Sequence, residues 1–306
     1  MSFCPKSKLL AIAISLAALS SATATWAQDA ASLQARHEAQ RRALAASPFQ
    51  RPLLIETRSS STTSQGQVDA VLAYPFDTVA RSFREADTWC DILMLQLNVK
   101  ACHVDAGGDG AHGTALEVAI GKKIDQPLRE AYQVRFDHRL AAARADHLSV
   151  QINAADGPLG THDHRLTLQA VPVDGSHTYI QMAYSYRNGP TARWATQAYL
   201  ATIGRNKVGF TVVGRDANGR NLYVDGVQGI AERNAMRYFL AIEAWLDALA
   251  SPPADRAERR LRQWFEATER YPRQLHEIEM ADYLTMKRRQ RRSHDAAPDG
   301  PAEPHR

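Results

Sequence analysis

The chain has 306 residues, of which 44% are hydrophobic and 23% charged, a globular balance consistent with one or two domains. Its formal net charge is +4, which gives no support for nucleic-acid binding across the whole chain. Beyond residue 27 no stretch is long and apolar enough to cross a bilayer. Lys6 and Lys8 precede the apolar run Leu9–Leu19, and Ala22-Thr-Ala24 and Thr25-Trp-Ala27 offer small-residue cleavage sites. This predicts a secretory signal peptide over 1–27, cut after Ala27. Cys4 precedes the apolar run, which argues against a lipid anchor. The mature chain, with 35 basic against 33 acidic residues, is expected to be soluble and periplasmic.

Residues 28–52 form an Ala-, Gln- and Arg-rich helical lead-in, broken from Phe49 to Pro52. Two strands follow, Leu53–Arg58 and Gly66–Tyr74, joined by a polar turn, with Val68, Ala70, Leu72 and Tyr74 on one face. Pro75-Phe76 ends the second strand, and Asp77 is expected to cap a short helix through Arg84. A second short helix covers Ala86–Leu93 and carries Trp89. A strand over Asn98–Val104 leads to the glycine turn Gly107–Gly110, which lacks the features of a phosphate-binding loop. Five alternating strands then succeed one another: Thr114–Lys122, Glu130–Leu140, His147–Ala154, Thr161–Val173 and His177–Arg187. Consecutive strands with no intervening helices imply an antiparallel sheet.

A helix over Thr191–Ile203 shows a stripe of Trp194, Ala195, Ala198 and Tyr199, stopped by Gly204. A hairpin over Lys207–Val213 and Asn221–Val224 turns at Asp216–Gly219. The long helix Glu232–Leu249 follows. Ala235, Tyr238, Phe239, Ile242, Trp245, Leu246 and Leu249 share its apolar face, while Glu232, Arg233, Arg237, Glu243 and Asp247 fall on the polar one. Pro252-Pro253 stops it. Residues 251–292 form a basic amphipathic extension with a narrow stripe of Leu261, Trp264, Phe265 and Thr268, expected to pack where Met236 and Leu240 interrupt the polar face. Residues 293–306 are expected to be disordered.

The fold class expected is α+β: a curved antiparallel sheet over 53–250 wrapped around the long C-terminal helix. It carries an inserted helix and hairpin at 191–227 and the helical extension. In element order, and in "YPFDTVARSF" followed by "LNVKACHV", residues 66–249 resemble the START-like, or SRPBCC, helix-grip superfamily. "YLATIGRNKVGFTVVG" with "ERNAMRYFLAI" is similar to an exported bacterial branch of it. The resemblance implies a pocket between sheet and long helix, used by relatives for lipids, sterols, polyketides or hormones, and by a minority for chemistry. The function expected is then that of a periplasmic binding or carrier protein for an apolar small molecule or lipid. A cyclase- or hydrolase-like enzyme and an accessory envelope protein with a filled cavity are the alternatives. The insert and the extension depart from simpler members, and either can cover the cavity.

The pocket-lining residues expected are Trp89, Tyr132, Phe136, Tyr184, Tyr186, Trp194, Tyr199, Tyr238, Phe239, Ile242 and Trp245, with Phe210 a further ring. Ordinary core is the competing reading for each. No cofactor is expected. Cys90 and Cys102, an isolated pair in an oxidising compartment, are expected to form a disulfide contributing about 3 kcal/mol, with two buried thiols as the other reading. His162 and His164 would share a strand face, and with His138 or His112 would supply three metal ligands. Their place beside a Gly-Pro turn favours an exposed strand start, and no metal is expected. His138 with Asp137, or Glu117 with Glu130, are the acid–base candidates. Lys287, Arg288, Arg289, Arg291 and Arg292 form a basic cluster suited to anionic headgroups, or a solvated helix end.

Overall fold

The computed structural model describes residues 24–60, 62–105, 114–202 and 204–295. The expected leader up to residue 23, the glycine turn, His112 and residues 296–306 lie outside them. Eight strands form one sheet: β1 (Leu53–Ser59), β2 (Thr63–Leu72), β3 (Val99–Asp105), β4 (Thr114–Ile120), β5 (Tyr132–Arg144), β6 (His147–Asp156), β7 (Thr161–Pro172) and β8 (Thr178–Asn188). Their order is β1-β2-β8-β7-β6-β5-β4-β3, and every pair is antiparallel. Six of the seven pairings join strands consecutive in the chain, and the seventh joins β2 to β8. The passage from β2 to β3 carries the chain across the sheet through α2 (Phe76–Phe83) and α3 (Ala86–Met94). Asp77 does not cap α2. Pro75 holds the cap position and Asp77 lies in the first turn, without a capping bond. Its charge there favours the positive end of the helix dipole.

The long helix, α5 (Gly226–Asp247), starts six residues earlier than expected and lies across β1, β2 and β8. Phe239, Ile242 and Leu246 are sealed in the core, as their spacing predicts. One contact sets how close the helix comes. A Cβ at Gly66 of β2 would stand 2.4 Å from the Ala231 carbonyl oxygen and 2.9 Å from the Ala235 Cβ. Glycine at this point allows backbone to meet backbone.

The polar face of α5 is not solvated. Glu232 is 0% exposed, Arg233 2% and Arg237 6%. The covering comes from the segment before β9 (Val212–Arg215) and β10 (Asn221–Tyr223), and from α6 (Arg256–Glu269), α7 (Pro272–Leu275) and α8 (Met280–Asp295). Met236 and Leu240 of α5 and Leu261, Trp264 and Phe265 of α6 share one core, where the extension is expected to dock. The Trp264 indole N–H donates to the Arg237 carbonyl at 3.1 Å, and its ring lies 5.2 Å from Tyr283 of α8. Residues 293–295, expected to be disordered, are the last turn of α8.

The insert packs differently from its sequence stripe. In α4 (Pro190–Ala201) only Ala192 is buried, and Trp194 is 72% exposed. The lead-in helix α1 (Ala24–Ala45) covers the sheet face opposite α5. There Leu33 and Leu44 pack with Val171 and Tyr179, and Arg36 grips the fully buried Asp69 through two bonds of 2.9 Å. Burial alone would raise the Asp69 pKa. Bonds from Arg36, Tyr179 and Gln67 outweigh it and hold the carboxyl below its ordinary value. Cys90 and Cys102 form a disulfide that ties α3 to β3, with a Cα–Cα separation of 5.3 Å.

Because Trp264 fills the seam between α5 and the extension, Trp264→Ala is expected to cost about 3–5 kcal/mol of stability. Urea denaturation followed by circular dichroism measures this. A change below about 1 kcal/mol would mean that the extension is not part of the folding unit.

Candidate functional site

The space between the sheet and α5 divides into two ends. Toward the middle of α5, Leu168, Ile180 and Met182 of the sheet and Phe239 and Ile242 of the helix are fully buried. Toward its start the filling is aromatic and polar. The Tyr184 and Tyr238 rings lie 5.1 Å apart, Tyr184 and Tyr186 5.7 Å, and Phe136 and His164 6.3 Å. The His164 imidazole stacks on Tyr186 at 5.5 Å with the planes 13° apart. Tyr184, Tyr186 and Tyr238 are each only partly buried, so this end is reached from solvent.

His164 continues the inward-facing row of Leu166 and Leu168, and β7 breaks just before it. Pairing with β8 shifts register between His162 and Arg165, and Asp163 adopts a left-handed φ of 51°. Regular alternation would put His162 and His164 on one face; the bulge separates them. His162 turns outward, 3.4 Å from an Asp156 carboxylate oxygen. His164, 7% exposed, turns inward, with Nδ1 3.1 Å from the Tyr184 hydroxyl and Nε2 2.8 Å from Thr161 Oγ1. A Cβ at Gly157 would stand 2.1 Å from His164 Nε2, so glycine makes room for the ring. The two imidazoles therefore do not share a face, and His164, expected at an exposed strand start, is buried instead; no group of three or more potential ligands occurs among the described residues.

Burial, helped by the charge of His162, pushes the His164 pKa down to about 4, so the imidazole is neutral at pH 7. Burial raises the Tyr238 phenol to about 12 and lifts Tyr184 and Tyr186 as well. The cluster is therefore uncharged, and its phenols keep their protons. It can stack on a flat apolar body and exchange hydrogen bonds with it.

Of the pocket residues expected from sequence, Phe136, Tyr184, Tyr186 and Tyr238 come together here. Trp89, Phe239, Ile242 and Trp245 are core instead. The Trp89 indole N–H donates to the Phe83 carbonyl at 2.8 Å, and Phe83 touches Trp245 at 5.7 Å between centroids. Tyr132 is 50% exposed at the end of β5 and, like Trp194, lines nothing. Tyr199 lies beside Gly204 and Arg233, and Phe210 packs with Phe49 and Tyr271. His164 is in phase with Leu166 and Leu168, so alternation along β7 already points it inward; what needs the bulge is the outward turn of His162.

The acid–base candidates do not pair. Glu117 accepts from Arg135 on the outer sheet face at 2.5 Å, and Glu130 is exposed. His138 Nε2 is buried without a bond, and Asp137 is exposed. The basic cluster is also broken up. Lys287 is 1% exposed and its ammonium donates to the Val99 carbonyl at 2.8 Å and to Gln290 Oε1 at 3.0 Å, so it does not face an outside surface. The helical period turns it inward. Arg288 pairs with Glu258 and Arg289 with Asp125, while Arg291 and Arg292 are exposed. No described helix is long and apolar enough to cross a membrane.

The two principal pockets lie away from the ring cluster. One of about 180 Å³ opens between α3 and the extension, against Cys90, Met94, Arg260, Leu261 and Lys287. The other, of about 170 Å³, lies between α2 and the β5–β6 turn, against Phe76, Ala80, Arg84 and Arg144. The space beneath α5 is filled by its own side chains.

No protein-family model matches the chain, and no curated protein matches it. Among solved structures it is similar to norcoclaurine synthase from Thalictrum flavum, at 17% identity over 45% of this chain and 78% of that one, with a TM-score of 0.32. It is similar to a START superfamily protein from Mycobacterium smegmatis, at 12% identity over 47% and 92% of the two chains, TM-score 0.29. Human StAR-related lipid transfer protein 5 aligns at 9% identity over 57% and 88%, TM-score 0.30. The helix-grip arrangement itself stands on the strand order and the seat of α5.

Because His164 is neutral when folded but titrates near 6.5 when unfolded, the unfolded chain binds the extra proton between those values. Its contribution is present above about pH 6.5 and is lost as pH falls toward 4. Urea unfolding at pH 7 and pH 4.5 should differ by about 2 kcal/mol from this group. His164→Gln should remove that part of the difference. An unchanged pH slope in the variant would show that the imidazole is charged in the fold.

Proposed function

We propose that this protein is an exported binding or carrier protein for a small apolar or amphipathic molecule with a flat body. The molecule is taken up between the sheet and the start of α5. The observation that supports this is the uncharged cluster of His164, Tyr184, Tyr186 and Tyr238, partly open to solvent at one end of an otherwise aliphatic grip. Phenols and an imidazole are poor fillers for a merely structural core, since each buried polar group must find a partner. They are good contacts for a ring, offering stacking faces and donors together. Entry requires the rings to part, because they fill the space in the structure described. Export is supported by the charged start, apolar run and small-residue cleavage sites of residues 1–27.

The filled interior favours a second reading, an accessory envelope protein without cargo. Purification from the periplasmic fraction followed by native mass spectrometry separates the two. The expected result is a polypeptide starting at Gln28 and carrying a small-molecule adduct that is lost on unfolding. Neutral 1-aminoanthracene should bind saturably, and Tyr186→Leu should weaken it about three- to tenfold, the worth of one aromatic contact. Adduct-free protein with no saturable dye binding would favour the accessory reading. A retained leader in the cytoplasmic fraction would overturn export.

A further inference from the structure

We propose that Lys123, Lys207, Arg233 and Arg237 form an oxyanion site beside the ring cluster, which takes the carboxylate or phosphate group of an amphiphilic ligand. The apolar part of this proposal rests on the carrier reading; the anion site does not.

Arg233 and Arg237 stand one turn apart on the same side of α5, and both are almost fully buried. Like charges at this spacing repel, and burial sharpens the repulsion. Around them gather two lysines from separate parts of the chain. Lys123, after β4, donates to Glu277 Oε1 at 2.7 Å, and Arg237 Nη2 donates to the same oxygen at 2.7 Å. Lys207, before β9, donates to the carbonyl of His276, next to Glu277. Arg233 Nη1 donates to the Val208 carbonyl at 3.2 Å, with the Tyr199 phenol nearby. Two of the four cations thus bond one carboxylate, and Lys207 and Arg233, held by main-chain carbonyls, lie within its electrostatic reach.

The other acids in the neighbourhood are committed. Glu232 accepts from Thr211 N at 2.9 Å, from Thr211 Oγ1 at 2.6 Å, and from Phe210 N. Glu269 holds the His276 ring at 3.0 Å. A clamp meant only to fasten α7 to α5 needs one cation per carboxylate. Buried charge without its counter-charge is costly. Burial lowers the pKa of Arg233 and of Arg237, in keeping with the seat of both inside the cover of α5. Burial would raise Glu277, but Lys123 and Arg237 outweigh it and keep it ionised.

An oxyanion between these groups would supply the missing negative charge, with guanidinium forks offering paired donors. Lys123 is the member of the group that meets solvent, with 42% of its side chain exposed. The site also adjoins the ring cluster. The charge of Arg233 reaches the Tyr186 phenol, and Tyr238 follows Arg237 directly on α5. A ligand with its body among the rings can place an acidic head here.

Titration calorimetry with the exported protein, using dodecanoate, dodecanol and inorganic phosphate, tests this. Dodecanoate should bind at least about tenfold tighter than dodecanol, the worth of one charge-assisted hydrogen bond. Lys123→Gln and Arg233→Gln should each remove most of that preference and leave dodecanol unchanged. Glu277→Gln, which deletes the internal competitor, should tighten dodecanoate and raise the melting temperature gained from it. A mere clamp would instead lose stability in Glu277→Gln with no gain in anion binding. Equal binding of dodecanoate and dodecanol, unaffected by the variants, would overturn the oxyanion site and leave the carrier reading intact. Phosphate binding lost in Lys123→Gln, with neither chain probe bound, would keep the site for a free anion and overturn the amphiphilic ligand. No binding of any of the three probes would overturn the oxyanion site, while the carrier reading stands or falls on the adduct and dye measurements.

Discussion

Everything in this fold is arranged around the burial of one helix from all sides. The apolar side of α5 is pressed on β1, β2 and β8, close enough that only hydrogen fits at Gly66. Its far side is covered by α6 and by the strand-like segment before β9. A helix in this position cannot leave its charges to water. The covering chain meets two of them, Glu232 through the amides of Phe210 and Thr211 and Arg237 through the carboxylate of Glu277, while Glu243 takes the guanidinium of Arg51 from the lead-in to β1. Those bonds specify where the extension docks more narrowly than its apolar stripe does, because a misplaced charge is penalised and a misplaced leucine is not.

The same burial separates the two ends of the grip. Where aliphatic side chains meet, the interior is closed. Where His164 extends the inward row of β7 beyond Leu166, the filling is aromatic, neutral and half open. Beside it the surplus of cations around Glu277 creates a positive field in a partly desolvated setting, where charge acts over longer range than in water. An apolar, hydrogen-bonding face and a cationic one in contact are complementary to an amphiphile. Neither of the two open pockets combines these features; the pocket near the disulfide has cations but no ring cluster.

Two devices stiffen the frame that holds this end in place. The Cys90–Cys102 disulfide locks α3 to the edge strand β3. On the opposite sheet face Arg36 and Asp69 fasten α1 across the β1–β2 hairpin, so that β2 is covered on both sides. Motion needed for ligand entry would then fall on the less buried parts, α4 and the start of α5, where only Ala192 anchors the inserted helix.

By itself the sequence determined the elements and their layers. Period-two alternation marked β2, β4, β5, β7 and β8, and the i, i+3, i+4 spacing of Phe239, Ile242 and Leu246 marked the helix and the face it buries, since both patterns are local consequences of backbone geometry. Met236 and Leu240 among the charges even showed where the extension would sit. Only the tertiary structure decided which polar residues face inward. Periodicity assigns Glu232, Arg233 and Arg237 to solvent, because it knows one helix and not its cover. It assigns Trp194 to a core and Lys287 to a surface for the same reason. The bulge that turns His162 away from His164, and the meeting of Lys123, Lys207 and Glu277 from three distant segments, depend on register and on long-range contact, which no local pattern of residues encodes.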